Sequence, residues 1–494
     1  MPLTRRLVAC TASVVLLAGL ALPARADTLP PLTDTQRDSL SQALRLWFGV
    51  MVAATPDHLT ITPAQDHYDV SLPLATMMGS AVQSGPLTTQ AALLPDGRWA
   101  LSAITLPSPQ HVQLPPPSPG ATGPRLTLEL SDQQAAATVD PTLKAPSEGE
   151  SRFGPWSARF EQQKNPVFTV AHSQTKMVLT PSSPGRVDAG TASTFDHLTA
   201  DLVDTANVAA APALHITAAS AQSTSQFSDI SPALLATLYQ QFSDLAPLVP
   251  KPRPGHPAPP LSPAEQRTRL HALLATLRAL TRGAAVSAEA HDIVLGDSTR
   301  NTLDSASLSE RLQAEDGRLA LHVRLALAGI GWPDTPQTHA FAAYLPHRLV
   351  LAPSLTDLSE EDLFRLLDRL IDDPKSDLDA VLPDLDTRLA ATPIKAGIDE
   401  LAFDLGPATL SGQGVATIRG RDQLRGTADI AVTHLDDLLA QARHDQMARR
   451  AVPVLLLAKG LAKIDGDRAT WHLAYDGQKL LVNGQDLHDM MPPR

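Results

Sequence analysis

The chain is poor in the groups that carry most reactive chemistry. It has one cysteine, Cys10, and that residue lies inside an N-terminal segment that reads as an export signal. The mature chain is therefore expected to hold no disulfide, no thiolate metal site and no cysteine nucleophile, so its stability must come from its core. Aromatic residues are only 4% of the total, which speaks against a polysaccharide binder built on stacking platforms. There is no His-Glu-x-x-His, and the 16 histidines are scattered singly, so no metal site is indicated. No Gly-x-Ser-x-Gly elbow occurs, which removes the nucleophile of an α/β-hydrolase. No cofactor is indicated either. Beyond the signal, no uncharged apolar run reaches membrane length. The apolar segment 451–464 is short and contains Lys459 and Lys463.

What is present begins with the signal. Arg5 and Arg6 precede an apolar run from Leu7 to about Leu22, and Ala24-Arg25-Ala26 is a small-x-small cleavage site. Cleavage after Ala26 and a mature periplasmic chain starting at Asp27 are predicted. Leu7-Val8-Ala9-Cys10 imitates a lipoprotein box, but the apolar run follows the cysteine instead of preceding it. Lys and Arg number 40 against 52 Asp and Glu, and the formal charge of −12 becomes −15 once Arg5, Arg6 and Arg25 leave with the signal. An acidic chain does not favour nucleic acid or an anionic bilayer surface.

Proline supplies the main division. From Pro247 to Leu261 it stands at nearly every second position, which predicts an extended, semi-rigid spacer. The reading is thus a signal over 1–26, an N-terminal region over 27–246, the spacer over 247–261 and a C-terminal region over 262–494. In the first region a helix is expected from Thr33 to about Ala54, stopped by Pro56. Short strands follow, with Pro95-Asp96-Gly97-Arg98 as a hairpin turn between two of them. Ser231-Pro232 and Ser262-Pro263 open helices, the second with a capping box completed by Glu265. Further on, Ser359 and Asp362 cap a leucine-rich helix.

The stretch from Gly397 to Gly484 has the clearest pattern. Apolar residues alternate with polar ones in Leu401, Phe403 and Leu405, in Leu424, Ala428, Ile430 and Val432, and in Trp471, Leu473 and Tyr475. Period-two alternation predicts strands with one buried and one wet face. Asp476-Gly477 predicts a hairpin to Leu480 and Val482, and Thr433 is read as the cap of a short helix. The expected fold class is α+β: an extended or curved antiparallel β-sheet with amphipathic helices packed on one face. Helices precede antiparallel strands three times, after Ala54, Ala390 and Ile464, in the manner of a degenerate repeat.

Weighed as chemistry, most motifs reduce to structure. Ser173-x-x-Lys176 matches the nucleophile motif of penicillin-interactive enzymes, yet its flanks read as strand where that chemistry needs a helix start. Gly329-Ile330-Gly331 is followed by Trp332-Pro333 and not by a helix start, so it is no nucleotide loop. Asp377, Asp379, Asp384 and Asp386 read as the wet face of a helix, and His67, His322 and His472 as strand residues. What remains is apolar surface. Leucine-striped helices would cover it by default. Any part left open would form a groove for an acyl chain or a partner's strand, lined by Leu401, Phe403, Ile430, Val432, Trp471 and Leu473. The expectation is a non-enzymatic exported envelope protein that binds a lipid or other apolar ligand; the alternative is an assembly scaffold for an envelope protein partner. A hydrolase is the least supported.

Several stretches share a resemblance. His58 to Leu74, Arg348 to Leu355 before a leucine helix, Gly412 to Ala416 with Gly426 to Leu439, and Trp471 to Gly484 together resemble an uncharacterised family of bacterial envelope proteins, the domain-of-unknown-function family numbered 2125. More distantly the chain is similar to exported, sheet-rich envelope proteins of the AsmA and YdgA type, the former implicated in lipid handling between membranes. The resemblance implies an exported sheet protein with no catalytic residues to carry over.

Overall fold

The computed structural model describes residues 33–47, 60–73, 82–114, 123–143, 145–203, 214–234, 237–238, 241, 262–280, 282–296, 301–333, 335, 338, 344–373, 386–420, 423–445 and 448–487. The signal segment, the proline-rich spacer and the acids Asp377, Asp379 and Asp384 lie outside them. The chain divides into two units, residues 1–282 and 283–494. Both are built from antiparallel strands with helices beside them, the architecture that period-two alternation implied.

The first unit opens with helix α1 (Asp34–Trp47), whose start is a capping box: Gln36 N donates to Thr33 Oγ1, and Thr33 N to the Gln36 side chain. Its strands are β1 (Thr60–Pro63), β2 (Tyr68–Pro73), β3 (Val82–Gln83), β4 (Pro86–Leu93), β5 (Trp99–Thr105), β6 (Gln110–Gln113) and β7 (Arg125–Leu130). They continue with β8 (Gln134–Asp140), β9 (Ala145–Phe153), β10 (Trp156–Phe160), β11 (Phe168–Val170), β12 (His172–Ser183), β13 (Arg186–Leu202) and β14 (Leu214–Ile230). Helix α2 (Pro263–Leu280) follows, opened by the predicted Ser262–Glu265 box.

Pairing forks at β13. One branch runs β13–β12–β9–β8–β5–β4–β2–β1, the other β13–β11–β10–β7–β6–β3. Tyr68, Val70, Leu72, Leu87, Trp99 and Leu101 of the first branch meet Leu128, Leu130 and Ala158 of the second in one buried cluster, joined by Leu40 of α1. A two-branched sheet closing on its own apolar side chains is how an antiparallel protein without disulfides hides its core. Strand β8 lies between layers and is buried on both sides from Ala135 to Val139, which explains its run of small residues.

The second unit is a meander. Strands β15 (Gly283–Leu295), β16 (Asn301–Glu315), β17 (Arg318–Ala328), β18 (Pro346–Ser359), β19 (Ile394–Leu405), β20 (Ala408–Ile418) and β21 (Leu424–Thr433) each pair with the next. Strand β21 then pairs with β23 (Arg468–Tyr475), which also takes β22 (Lys463–Asp465) and β24 (Leu480–Val482) on its far side; β25 (Gln485–Asp486) follows β24. Helix α3 (Glu360–Asp372) begins at the predicted cap, the Ser359 hydroxyl accepting from Asp362 N at 3.2 Å. Helices α4 (Leu435–His444) and α5 (Val452–Leu461) come between β21 and β22.

Two local expectations change. The cap of α4 is His434, held at φ 56° with no side-chain capping bond, and not Thr433, which is still the last residue of β21. Strand β16 was not expected from the sequence. Its Ala306, Leu308, Leu312 and Ala314 alternate with polar residues, but Glu310 interrupts the apolar row. The ladders to β15 and β17 impose the extended form on it. The Asp476-Gly477 turn forms as read: Asp476 Oδ1 accepts from Gln478 N and Lys479 N, and Gly477 takes φ 104°.

Candidate functional site: an apolar sheet face

In an antiparallel ladder, directly opposed residues project to the same side. That rule places all six predicted groove residues on one face of the second unit. Phe403, Leu410, Val432 and Ala469 form one row across β19, β20, β21 and β23. Leu401, Gly412, Ile430 and Trp471 form the next, and Ile398, Gly414, Ala428 and Leu473 the one after. The register of β19 slips between Ile398 and Leu401, and this slip keeps both side chains on the same face.

The face extends well past the residues the sequence pointed to. Leu401 and Phe403 oppose Leu351 and Leu349 of β18, which in turn oppose Leu325 and Leu327 of β17. Leu325 and Leu321 oppose Leu308 and Leu312 of β16, and these oppose Ala288 and Ala284 of β15. One apolar face therefore spans eight neighbouring strands, interrupted by the charges of Asp304 and Glu310 on β16. The opposite face carries Ser305, Ser307, Ser309, Arg311, His322, Arg324, Asp429 and His472, together with a buried row of Val350, Ala402 and Ala431. An isolated row of leucines is an ordinary core stripe; the same row repeated through eight registered strands is a surface.

Cover is uneven along it. At the Phe403 end, Val432 and Ala469 are buried in a cluster with Leu435 and Leu439 of α4, packed by Val452 and Leu455 of α5, Leu410 and Trp471. The Trp471 indole donates to Ala458 O of α5 at 2.8 Å. Elsewhere the face is open: Leu312 and Leu321 are each 40% exposed, and Leu308, Val286 and Ile398 are similar. Of the six predicted residues Val432 is buried, while Leu401, Phe403, Ile430, Trp471 and Leu473 are partly so.

The floor between β20 and β21 is made of small residues, and the two backbones lean together there. A Cβ at Gly414 would stand 2.8 Å from the Ala428 Cβ; one at Gly426 would stand 2.8 Å from Val415 O and 3.2 Å from the Ala416 Cβ. Opposed Cβ atoms ordinarily lie about 4.5–5.5 Å apart. Leu401 and Ile398 rise on one side of this floor, Trp471 and Leu473 on the other, so the face forms a trough.

On the polar face, one constellation resembles a hydrolytic centre and differs from it in order. The Ser354 hydroxyl donates to Asp399 Oδ1 at 2.7 Å, and the His322 imidazole is bonded to Asp399 Oδ2 at 2.9 Å. The Ser354 bond, outweighing partial burial, and then the imidazole hold the Asp399 carboxyl below its usual range. The carboxylate sits between serine and imidazole, whereas a serine nucleophile needs the imidazole next to it. The Ser173-x-x-Lys176 motif lies wholly in β12, where residues three apart face opposite ways, and Ser173 Oγ accepts from the Trp156 indole. Among the described residues no group of three or more His, Cys, Asp or Glu is placed to hold a metal ion, and no helix is long and apolar enough to cross a membrane.

No family model, curated protein or solved structure matches this chain. The trough and its neighbours therefore rest on geometry alone.

Proposed function

We propose that this is a non-enzymatic exported envelope protein, placed in the periplasm by cleavage after Ala26, that holds an acyl chain or similarly apolar ligand in the trough of its second unit. The observation that supports this reading is the apolar face itself: eight registered strands that present mainly Leu, Ile, Val and Ala, with half-exposed leucines and a largely polar reverse side. A face of this size left in water is costly, at about 25 cal/mol per Å² of apolar area, and a hydrocarbon ligand removes that cost. The lean of β20 against β21 fits a sheet curving around its ligand, with α4 and α5 closing one end. A scaffold that recruits a partner's strand is less favoured, because the last strands of the meander, β24 and β25, have three and two residues and offer little ladder to extend.

Native mass spectrometry of the purified mature protein tests this. Retained lipid is expected, and Ile398→Asp, at a half-exposed position on the trough wall, should reduce it. Protein that comes through with no bound lipid under conditions preserving the fold would sink the proposal.

A further inference from the structure

We infer that helix α5 is a membrane-docking element that seats the protein on an anionic bilayer surface. Two turns of this helix point in opposite directions chemically. Val452 and Leu455 pack inward with Leu410 and Trp471. Val454 and Leu457 point out and are 67% and 61% exposed, with Leu456 beside them and Ile464 just beyond the helix also exposed. Leucines this exposed on a helix already anchored by its other side are not core residues awaiting cover.

The charge around this patch identifies its occupant. Residues 443–463 carry five cations, Arg443, Arg449, Arg450, Lys459 and Lys463, against one acid, Asp445, with Asp436 and Asp437 of α4 and Asp465 and Asp467 bordering that stretch. Arg449 and Arg450 sit in the 3-10 turn immediately before α5, and Lys463 immediately after it, all exposed. Lys459, in the last turn, pairs with Asp436 of α4. Asp465 ends β22, and Asp467 lies on the turn after it, facing His434. Asp437 also faces His434, and with Asp436 taken up by Lys459 the exposed cations beside the apolar turn are Arg449 and Arg450 at one end and Lys463 at the other. Cations at both ends of an outward apolar turn are the arrangement of a helix lying in the plane of an anionic leaflet. Acids farther than roughly 8–10 Å are screened at physiological salt. A partner protein could also present an apolar patch. Rings of cations favour the continuous negative charge of phospholipid headgroups. The inference stands whether or not the trough holds a ligand.

The test is vesicle flotation of the purified mature protein. Vesicles of phosphatidylglycerol and phosphatidylethanolamine are compared with neutral phosphatidylcholine. Binding to the anionic vesicles, weakened by added salt, is expected. The double variants Val454→Ser with Leu457→Ser, and Arg449→Glu with Arg450→Glu, should each lose roughly ten-fold or more in vesicle affinity. All four side chains are exposed, so melting curves should match the parent, and lipid retained in the trough should be unchanged in native mass spectra. No binding of the parent to anionic vesicles, equal binding to neutral ones, or full binding by either variant overturns the inference. So does a concentration-dependent dimer, without vesicle binding, that the Val454/Leu457 variant converts to monomer, since the patch would then join two copies of this chain.

Discussion

Adding one methyl group at Gly414 tests the geometry of the trough floor. Gly414 is in the middle of β20 with no positive φ, so the backbone itself would accept alanine. In an ordinary strand the exchange stabilises by about 0.4–1 kcal/mol, because alanine loses less chain entropy on folding. Here the new Cβ would meet the Ala428 Cβ at 2.8 Å and Thr427 O at 3.1 Å, both on β21 and neither the end of a flexible chain. Backbone must move, and overpacking of this kind costs about 1–3 kcal/mol. The clash wins, and Gly414→Ala should destabilise by about 1–2 kcal/mol net. In urea this moves the midpoint down by roughly 0.3–2 M at slopes of about 1–3 kcal/mol per M. Gly190→Ala is the control: Gly190 also lies in a strand without positive φ, but nothing is within 4 Å of its added Cβ, so that variant should be neutral or slightly more stable. Pairing Gly414→Ala with Ala428→Gly removes the opposing methyl and should restore most of the loss, giving a coupling that independent sites do not show. A Gly414→Ala protein as stable as its parent, or a double variant no better than the single, would refute the close approach of β20 and β21.

Other outcomes follow from the same structure. Ser359→Ala removes the hydroxyl that accepts from Asp362 N and should cost about 1 kcal/mol, read by thermal melting, with Ser359→Thr retaining most of it. Trp471→Phe deletes the 2.8 Å bond to Ala458 O and should cost about 1 kcal/mol while speeding amide exchange in α5; unchanged exchange would show that the indole does not hold the helix. The Lys395 bond to Asp357, outweighing partial burial, and the Ser354 bond to Asp399 hold both carboxyls below their usual range. Because these pKa values are depressed in the folded state, their contribution is complete above the ordinary aspartate pKa of about 3.9 and is lost as pH falls through the lower folded values. Urea midpoints should therefore drop below about pH 4, less steeply in Lys395→Ala with Ser354→Ala. An equal slope in that variant would contradict the assignment.

How far the sequence revealed this depended on how local each signal was. The capping box at Ser262, the cap at Ser359 and the Asp476-Gly477 turn are short-range chemistry, and they stand where the residues indicated. Leu401, Phe403, Ile430, Val432, Trp471 and Leu473 share a face because each strand's alternation is faithful and the ladder aligns them. The breadth of that face was not legible, because the alternation of β16 is faint, its apolar side broken by Asp304 and Glu310, and it joins the apolar surface only through its neighbours. Nor could composition reveal the fork at β13 or the basic, apolar tip of α5, since both depend on which distant segments meet. The whole-chain acidity pointed away from anionic surfaces, and it averages out a local charge of the opposite sign.

From β15 to β21, the meander pairs every strand with the one that follows it in the chain. Closures between neighbouring strands are short except at 329–345 and 360–393, so this array can grow by successive addition, each strand templating its successor. Its cooperativity is then nearly one-dimensional, and loss of structure should begin at a terminal strand and travel inward. The first unit lacks that option. Its β5–β8 and β3–β6 ladders join strands separated by others in the chain, and it must commit many of its contacts together.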